Sequence, residues 1–518
     1  MSPGASRPAP PAVWLTACPG ARIVRGEPPA ITGVTHDSRR VEPGFLFVAI
    51  PGSKTDGHAY IGEAVARGAA AVLAQDDRAD GADAAGACLV ATPDTRAALA
   101  PVAAAFWGRP ARQLAVIGVT GTDGKTTTTH LIAHTLETAG IPTGYLSSVA
   151  FRTGDEPKLN ATHMTTIEAP DVQAALAAMV ASRKRAAVIE ASSHGLALHR
   201  VDACEFDVGV FTNLTRDHLD FHKTMEAYRD AKARLFEMVA ETQPKPFARR
   251  AAVLNVGDPA SEYMASRCPG VPVYAYGLDS RAAFHARDVA AGPEGSSFEL
   301  VTPAGRTRCR LRLLGLHNVE NALAAAAVAA SQGVGVDAIA EALASFTSVP
   351  GRLEPIDEGQ PFRVFVDIAS TPEAFRKVIE VLRPTTEGRL IVVFGAAGER
   401  DPNRRSGMGA VAAEFADFAV LTNEDPRSED PDAIIDDIAR SMIAAGALEG
   451  ERFVRVPDRR EAIACAFARA RPGDTVLLAG KGTEQAIDLR DGPMPWDERV
   501  VARETLRDLR GAAARGTR

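Results

Sequence analysis

Gly121-Thr-Asp-Gly-Lys-Thr-Thr127 is the stretch of this chain whose residue types and order most clearly suit chemistry. An apolar run, Leu114 to Thr120, precedes it, and a helix-like segment follows through Glu137 to a stop at Gly140. Gly121 and Gly124 let the backbone wrap closely around phosphate oxygens. The N–H groups that open the following helix point at the anion. Lys125 can neutralise charge on the β- and γ-phosphates of a nucleotide, and Thr126 can reach a magnesium ion. The full consensus for such loops begins with a glycine where this chain has Val119. The flanking strand and helix are what separate the match from a chance Gly-rich turn.

Two further segments carry candidate metal ligands: Glu190-Ala-Ser-Ser-His194 and Thr212-Asn-Leu-Thr-Arg-Asp-His218, each following a strand-like run. In a parallel sheet both lie on the edge that carries the phosphate loop, where ligands collect. A carboxylate and an imidazole beside a nucleotide can hold magnesium, although that ion prefers oxygen and keeps waters. The competing reading makes them helix N-caps with solvent-facing side chains. The phosphate loop tips the balance toward metal. Lys232, in Tyr228-Arg-Asp-Ala-Lys-Ala-Arg-Leu-Phe236, reads from its residues alone as an ordinary surface lysine on a helix.

The elements that must position these groups fall into three segments, with residues 1–11 a Pro- and Ala-rich, disordered lead-in. Residues 12–112 alternate short apolar runs (Phe45 to Ala49, Ala69 to Ala74) with helix-like stretches, as a small α/β domain does. Residues 113–348 hold the phosphate loop and strand-like runs ending at Glu190, Phe211 and Asn255, which indicates a mostly parallel sheet with helices on both faces. Val349-Pro-Gly-Arg352 reads as a linker. Residues 349–518 carry strand-like runs Arg363 to Asp367, Leu390 to Phe394, Phe418 to Thr422 and Thr475 to Ala479, a Rossmann-like α/β pattern. The fold class expected is therefore α/β, in three domains with a P-loop-type centre.

The net charge of −7 argues against a general nucleic-acid binder, which needs a basic surface. The six cysteines are scattered with no CxxC pair, so a zinc ribbon or disulfide framework is not expected. No run approaches the roughly 20 apolar residues of a membrane span, and the N-terminus lacks a signal-peptide pattern. A cytoplasmic protein is expected.

Taken in order, the motifs resemble the Mur ligase family, in its MurE type, over nearly the whole chain. They run from Asp37-Ser-Arg39, Gly44-Phe-Leu-Phe-Val48 and Asp56-Gly-His58 through the 121–127 loop, Thr165-Thr166, Glu190 to Gly195 and Asn213 to Asp220. They continue with His317 to Asn321, Gly351-Arg-Leu-Glu354, Asp367, Gly398 to Asp401, Asp425-Pro-Arg427 and Gly480-Lys-Gly482. The resemblance implies a cytoplasmic, monomeric enzyme of peptidoglycan precursor synthesis that uses ATP and Mg²⁺. Such an enzyme joins UDP-N-acetylmuramoyl-L-alanyl-D-glutamate to a diamino acid (meso-diaminopimelate, lysine or ornithine) through an acyl phosphate.

The same resemblance implies roles for individual residues. Ser38 belongs to the uridine-nucleotide site. Gly121, Thr122, Asp123, Gly124, Lys125, Thr126 and Thr127 hold ATP phosphates, and His317, Asn321, Arg352 and Asp367 surround its base and ribose. Thr126, Glu190, His218 and Lys232, the last as a carbamate, serve magnesium. Thr165, Thr166, Ser192 and Arg200 hold the muramoyl-dipeptide. Arg400, Glu424, Asp425, Arg427, Gly480 and Glu484 meet the diamino acid.

Several positions depart from the family pattern. Asp123 replaces an Asn; Ile167 replaces a Pro; Arg404-Arg-Ser406 replaces Lys-Arg-Pro. Ser370 and Thr483 stand where histidines are usual. In Glu424-Asp-Pro-Arg427 an acid replaces the amide of the usual Asp-Asn-Pro-Arg. Arg427 and Arg400 can still clamp a distal carboxylate. A negative charge at Asp425 instead suits the distal ammonium of lysine or ornithine. Two alternatives accompany this reading. One is a folylpolyglutamate synthase-like ligase, against which the Asp37-Ser-Arg39 domain argues. The other is a nucleotide-binding paralogue with a decayed site, against which Lys125, Glu190, His218 and Lys232 together argue.

Overall fold

The structure, a computed structural model, describes residues 8–52 and 55–516, with side chains as far as residue 511. Residues 1–7 of the expected disordered lead-in lie outside the described residues. Within its remainder, Ala9 forms an antiparallel bridge with Ile31, and a helix begins at Pro11. The chain divides into two compact units. One holds residues 1–288 with 299–309 and 319–343; the other holds 289–298, 310–318 and 344–518.

The first unit contains two sheets. The smaller has the order Arg22–Arg25, Cys88–Thr92, Ala71–Gln75, Phe45–Val48, Gly33–Thr35, all parallel except the first strand. Alternation along its strands supplies two cores. Leu46, Val48 and Leu73 point into one; Phe47, Val72 and Ala74 point into the other. Arg40 ties this part to the helix Ala169–Ala181 through an ion pair with Asp171 at 2.7 Å.

The larger sheet is built around β1 (Ala115–Thr120), β2 (Ala186–Glu190) and β3 (Val208–Phe211), with β1 between the other two and parallel to both. Every residue of these strands is buried, as a sheet covered on both faces requires. Helix α1 (Lys125–Thr138) follows β1, and α2 (Met225–Glu241) packs Leu235 and Phe236 into the core that also holds Val116 and Ile189. The strands end at the residues the apolar runs indicated, so Thr120, Glu190 and Phe211 share one edge.

In the second unit β4 (Arg363–Asp367), β5 (Leu390–Phe394), β6 (Phe418–Leu421) and β7 (Thr475–Ala479) form a parallel core in the order β4-β7-β5-β6. Val392 and Leu477 face one core, with the helices Pro372–Leu382, Asn403–Phe415 and Pro431–Ala444. Ile391, Val393 and Leu478 face another, covered by α3 (Arg459–Arg469) and α4 (Glu498–Gly516). Period-two alternation in the strands thus makes a doubly wound layer structure, with its loops at the carboxyl ends of the strands.

Candidate functional site

The phosphate loop leaves β1 and turns into α1 within four residues. Gly124 has φ +81, and a Cβ there would stand 2.6 Å from Asn321 Oδ1, so this position needs glycine on both counts. The segment after β3 holds the loop in shape. Thr122 N donates to Asn213 O at 2.9 Å, Asp123 N donates to Asn213 Oδ1 at 2.9 Å, and Thr212 Oγ1 donates to Asp123 O at 2.7 Å. Lys125 curls over the loop, donating to Gly121 O at 3.0 Å and Thr122 O at 2.7 Å. Thr127 is half-buried in the first turn of α1. Asn321 reaches the same helix, where its Oδ1 accepts from Thr128 Oγ1 at 3.1 Å.

Thr126 and Glu190 are brought together through Ser148. Thr126 Oγ1 lies 2.9 Å from Ser148 Oγ, and Glu190 Oε1 accepts from Ser148 N at 2.9 Å. Ser148 was not singled out from the sequence; the signal available was a serine pair just past the strand Thr143–Leu146. His218 has φ +53 and a half-exposed side chain whose ring centre stands 4.9 Å from that of His194.

Lys232 is not the surface lysine its residues suggested. It is 1% exposed, donates to Gly121 O at 2.6 Å, and lies 4.3 Å above the Tyr228 ring. Burial, followed by the nearby Lys125 charge, holds its amine well below the ordinary lysine range. A neutral buried amine beside the phosphate loop is the form that can react with CO₂. The oxygens of Thr126, Glu190 and a carbamate on Lys232 suit a hard cation. Among the described residues no group of three or more His, Cys, Asp or Glu side chains is placed to hold a metal ion by itself, so magnesium would complete its shell with water and phosphate oxygens.

The residues expected to hold the muramoyl-dipeptide form a second group in the same unit. Thr166 Oγ1 donates to Glu190 O at 2.7 Å and accepts from Ser192 N at 3.0 Å. Arg200 donates to Thr166 O at 3.1 Å and pairs with Glu168 at 2.8 Å. Ser192 is also the N-cap of Ser193–Ala197, accepting from Gly195 N. Thr165 is half-buried beside Thr166. Ser38, in the smaller sheet's domain, is buried and donates to Glu63 Oε2 at 3.2 Å.

In the second unit Asp367 closes β4 and accepts from Leu353 N at 2.7 Å and Ala369 N at 2.8 Å. Burial pushes its carboxyl up, opposed by Arg352. His317 is exposed on the first turn of the helix Leu316–Ser331.

A cavity of about 100 Å³ opens at the carboxyl ends of the strands, lined by Ser370, Arg400, Arg404, Glu424, Asp425, Arg427 and Glu484. It gathers the expected diamino-acid residues from loops distant in sequence. Gly480 packs against the lining residue Glu424, whose Oε2 a Cβ on the glycine would meet at 2.9 Å. Ser370, at one lost histidine position, lines the cavity, and Thr483, at the other, packs against Gly351.

The expectation that Asp425 offers a free negative charge needs correction. Its Oδ1 accepts from Lys481 at 2.7 Å and from Asp488 N at 2.8 Å, and the same fully buried Lys481 pairs with Glu484 at 2.6 Å. Arg404 and Lys481 are the residues missed here. The first stood in a divergent motif and the second in a glycine-flanked one, but neither position signalled a partner. Glu424 is buried; burial raises its carboxyl to about 7 against the pull of Arg459 and Lys481.

Fold and site together define an ATP-dependent ligase that forms an amide bond. The family model described as the Mur ligase middle domain matches residues 119–329. That described as the glutamate ligase domain matches 351–482, and that described as the Mur ligase family catalytic domain matches 30–107. The chain belongs to the Mur ligase family, whose members are ATP-dependent ligases forming amide bonds. It is 48% identical to a UDP-N-acetylmuramyl-tripeptide synthetase of Roseiflexus, covering 93% of this chain and 95% of that one. It is 43% identical to the UDP-N-acetylmuramoyl-L-alanyl-D-glutamate–2,6-diaminopimelate ligase of Streptomyces coelicolor, covering 93% of each. A solved structure of a ligase of the latter name is 31% identical, with a TM-score of 0.67 over 94% of this chain and 97% of that one. The folylpolyglutamate synthase-like alternative is not favoured. Among the described residues no helix is long and apolar enough to cross a membrane.

Proposed function

We propose that this protein adds meso-diaminopimelate to UDP-N-acetylmuramoyl-L-alanyl-D-glutamate, with ATP and magnesium, as a cytoplasmic monomer in peptidoglycan precursor synthesis. Its three segments, 12–112, 113–348 and 349–518, serve the uridine nucleotide, ATP and the incoming amino acid in turn. The observation that carries the choice of amino acid is the charge around the 349–518 cavity. Arg400, Arg404 and Arg427 line it, while Asp425 and Glu484 share the single cation of Lys481. A ligand with a distal carboxylate finds guanidinium partners there, and Glu424 remains for its distal ammonium. Lysine and ornithine have the ammonium but bring no carboxylate to these guanidinium groups.

In the reaction an oxygen of the dipeptide's terminal carboxylate attacks the γ-phosphorus of ATP, and ADP leaves. The amine then attacks the acyl carbon, loses a proton, and phosphate departs. The loop N–H groups and Lys125 neutralise phosphate oxygens, and Lys125 exchanges the Gly121 and Thr122 carbonyls for them. Thr126, Glu190, His218 and carbamylated Lys232 would hold magnesium, which supplies further positive charge at the phosphates. Thr165, Thr166, Ser192 and Arg200 hold the dipeptide, while Ser38 orients its uridine nucleotide. His317, Asn321, Arg352 and Asp367 take the base and ribose of ATP. The arrangement works by alignment and by charge placed in advance.

The test is phosphate release from ATP and magnesium with UDP-N-acetylmuramoyl-L-alanyl-D-glutamate and each of diaminopimelate, lysine and ornithine. Release that requires both substrates and is fastest with diaminopimelate is expected. A preference for lysine or ornithine would overturn the choice of amino acid. No release with any of them, from folded protein that binds ATP, would overturn the ligase reading in favour of the decayed paralogue.

A further inference from the structure

A buried guanidinium behind the diamino-acid cavity has no part in the reading above. Arg459 opens α3, its side chain is 1% exposed, and it is not among the residues that line that cavity. Its Nη1 donates to Asn423 O at 2.9 Å and its Nη2 to Ala479 O at 2.8 Å. Nε and Nη2 also donate to Glu498, at 2.9 and 2.8 Å, and Glu498 is itself fully buried at the start of α4. Trp496 Nε1 donates to Glu498 at 2.6 Å and completes the cluster.

The two carbonyls are informative by their places. Asn423 immediately precedes Glu424, and Ala479 immediately precedes Gly480. Asn423 lies just past β6 and Ala479 is the last residue of β7, and these strands are not neighbours, because β5 runs between them. β5 bonds to both strands and spaces them, and just beyond it the planar fork of Arg459 bridges the two ends directly. That spacing matters at the cavity, where Gly480 has φ +109 and leaves room for the Glu424 carboxylate. Glu424 Oε2 is buried with no hydrogen-bond partner among the described residues.

We propose that Arg459 is a positioning residue for the incoming amino acid, clamping the ends of β6 and β7 so that Glu424 stands over Gly480 to receive the ligand's distal ammonium. This rests on the function proposed above. Glu498 and Trp496 hold the clamp, so the start of the C-terminal helix is wired to the selection of the amino acid. The charged groups around Glu424 are Arg459 and Lys481, which favour its ionised form, and Asp425 and Glu484, which oppose it.

The experiment measures kcat and the KM of all three substrates, together with the melting temperature, for Arg459→Lys, Arg459→Met and Glu498→Gln. The guanidinium reaches Asn423 O, Ala479 O and Glu498 from three separate nitrogens, and the single, less extended ammonium of a lysine does not reproduce those spaced contacts. Arg459→Lys is therefore expected to raise the KM for diaminopimelate by about tenfold or more and leave the other two KM values within about twofold. Arg459→Met also removes a charge, so the pH at which its KM for diaminopimelate improves moves upward; in Arg459→Lys it does not. A merely structural role would lower the melting temperature and kcat with no selective change in KM and no movement of the pH profile, and that result overturns the proposal. If Arg459→Met does not fold, the other two variants decide by the KM split. Wild-type turnover with a diamino acid is the control. Its absence would sink the functional reading, and calorimetric binding of diaminopimelate to wild type and Arg459→Lys would still decide the positioning role.

Discussion

Lys481, fully buried, pairs at 2.7 Å with Asp425, which lines the diamino-acid cavity. An acid at position 425 therefore arrives with its own counter-charge. The consequence is asymmetric. Asp425→Asn keeps an acceptor for Lys481 and Asp488 N, and is expected to alter kcat/KM by less than about tenfold, under ~1.4 kcal/mol, with diaminopimelate still preferred. Lys481→Met leaves Asp425 and Glu484 without their cation, and is expected to cost about 3 kcal/mol of stability. Denaturant melts and side-by-side turnover of both variants check this; a switch to lysine in Asp425→Asn would reject it.

Arg427 lines the cavity and donates to Gly398 O at 3.2 Å. A charge-assisted hydrogen bond to a distal carboxylate is worth about 1.5–3 kcal/mol. Arg427→Ala should then raise the KM for diaminopimelate by roughly ten- to a hundredfold, with little effect on any residual turnover of lysine. Equal losses for both amino acids would mean that Arg427 serves the loop and not the ligand.

Glu424 gives the enzyme a pH dependence near neutrality. Its carboxyl is raised from 4.5 to about 7 by burial, so it carries a proton below that value and a charge above it. An ammonium ligand prefers the charged form, and the KM for the diamino acid should fall as pH rises through about 7. The stability contribution runs the opposite way. The folded state keeps a proton the unfolded chain has lost, so Glu424 costs stability progressively as pH rises from 4.5 through about 7. Glu424→Gln should flatten both trends, which paired KM and melting profiles would reveal.

Lys125 is the one full positive charge that the phosphate loop itself contributes. Lys125→Ala should reduce phosphate release on the order of 10²–10³-fold with the melting temperature nearly unchanged. Lys125→Arg should not restore it, because a planar fork does not replace a point charge among loop carbonyls. Single-turnover assays separate this from weakened ATP binding.

Lys232, buried with a depressed amine, is the expected site of carbamylation. Protein equilibrated with ¹³C-bicarbonate should show a carbamate carbon resonance by NMR that is missing in Lys232→Met. An identical spectrum from both proteins would remove Lys232 from the magnesium site and leave it as a prop beneath Gly121.

The phosphate loop was legible because its function is local. The strand, the glycines, Lys125 and the helix start occupy one continuous stretch, and a parallel sheet sends every strand end to the same edge. The strand ends at Glu190, Phe211, Asp367 and Ala479 could be read from apolar runs for the same reason. The ordered motifs added the family and its substrates.

What the sequence left open were quantities that depend on separation and burial. Lys232 looked like a surface residue because a helix shows its period in sequence but not which neighbour covers each face. Asp425 looked like a free charge because the lysine that matches it is 56 residues away. Glu424 acquires its raised carboxyl only when folding removes water from it. The sequence by itself determined which groups are present and which strand edge carries them. Only the tertiary structure decided which charges survive unpaired, because Coulomb energy and desolvation depend on distance and surroundings, and the order of residues along a chain specifies neither.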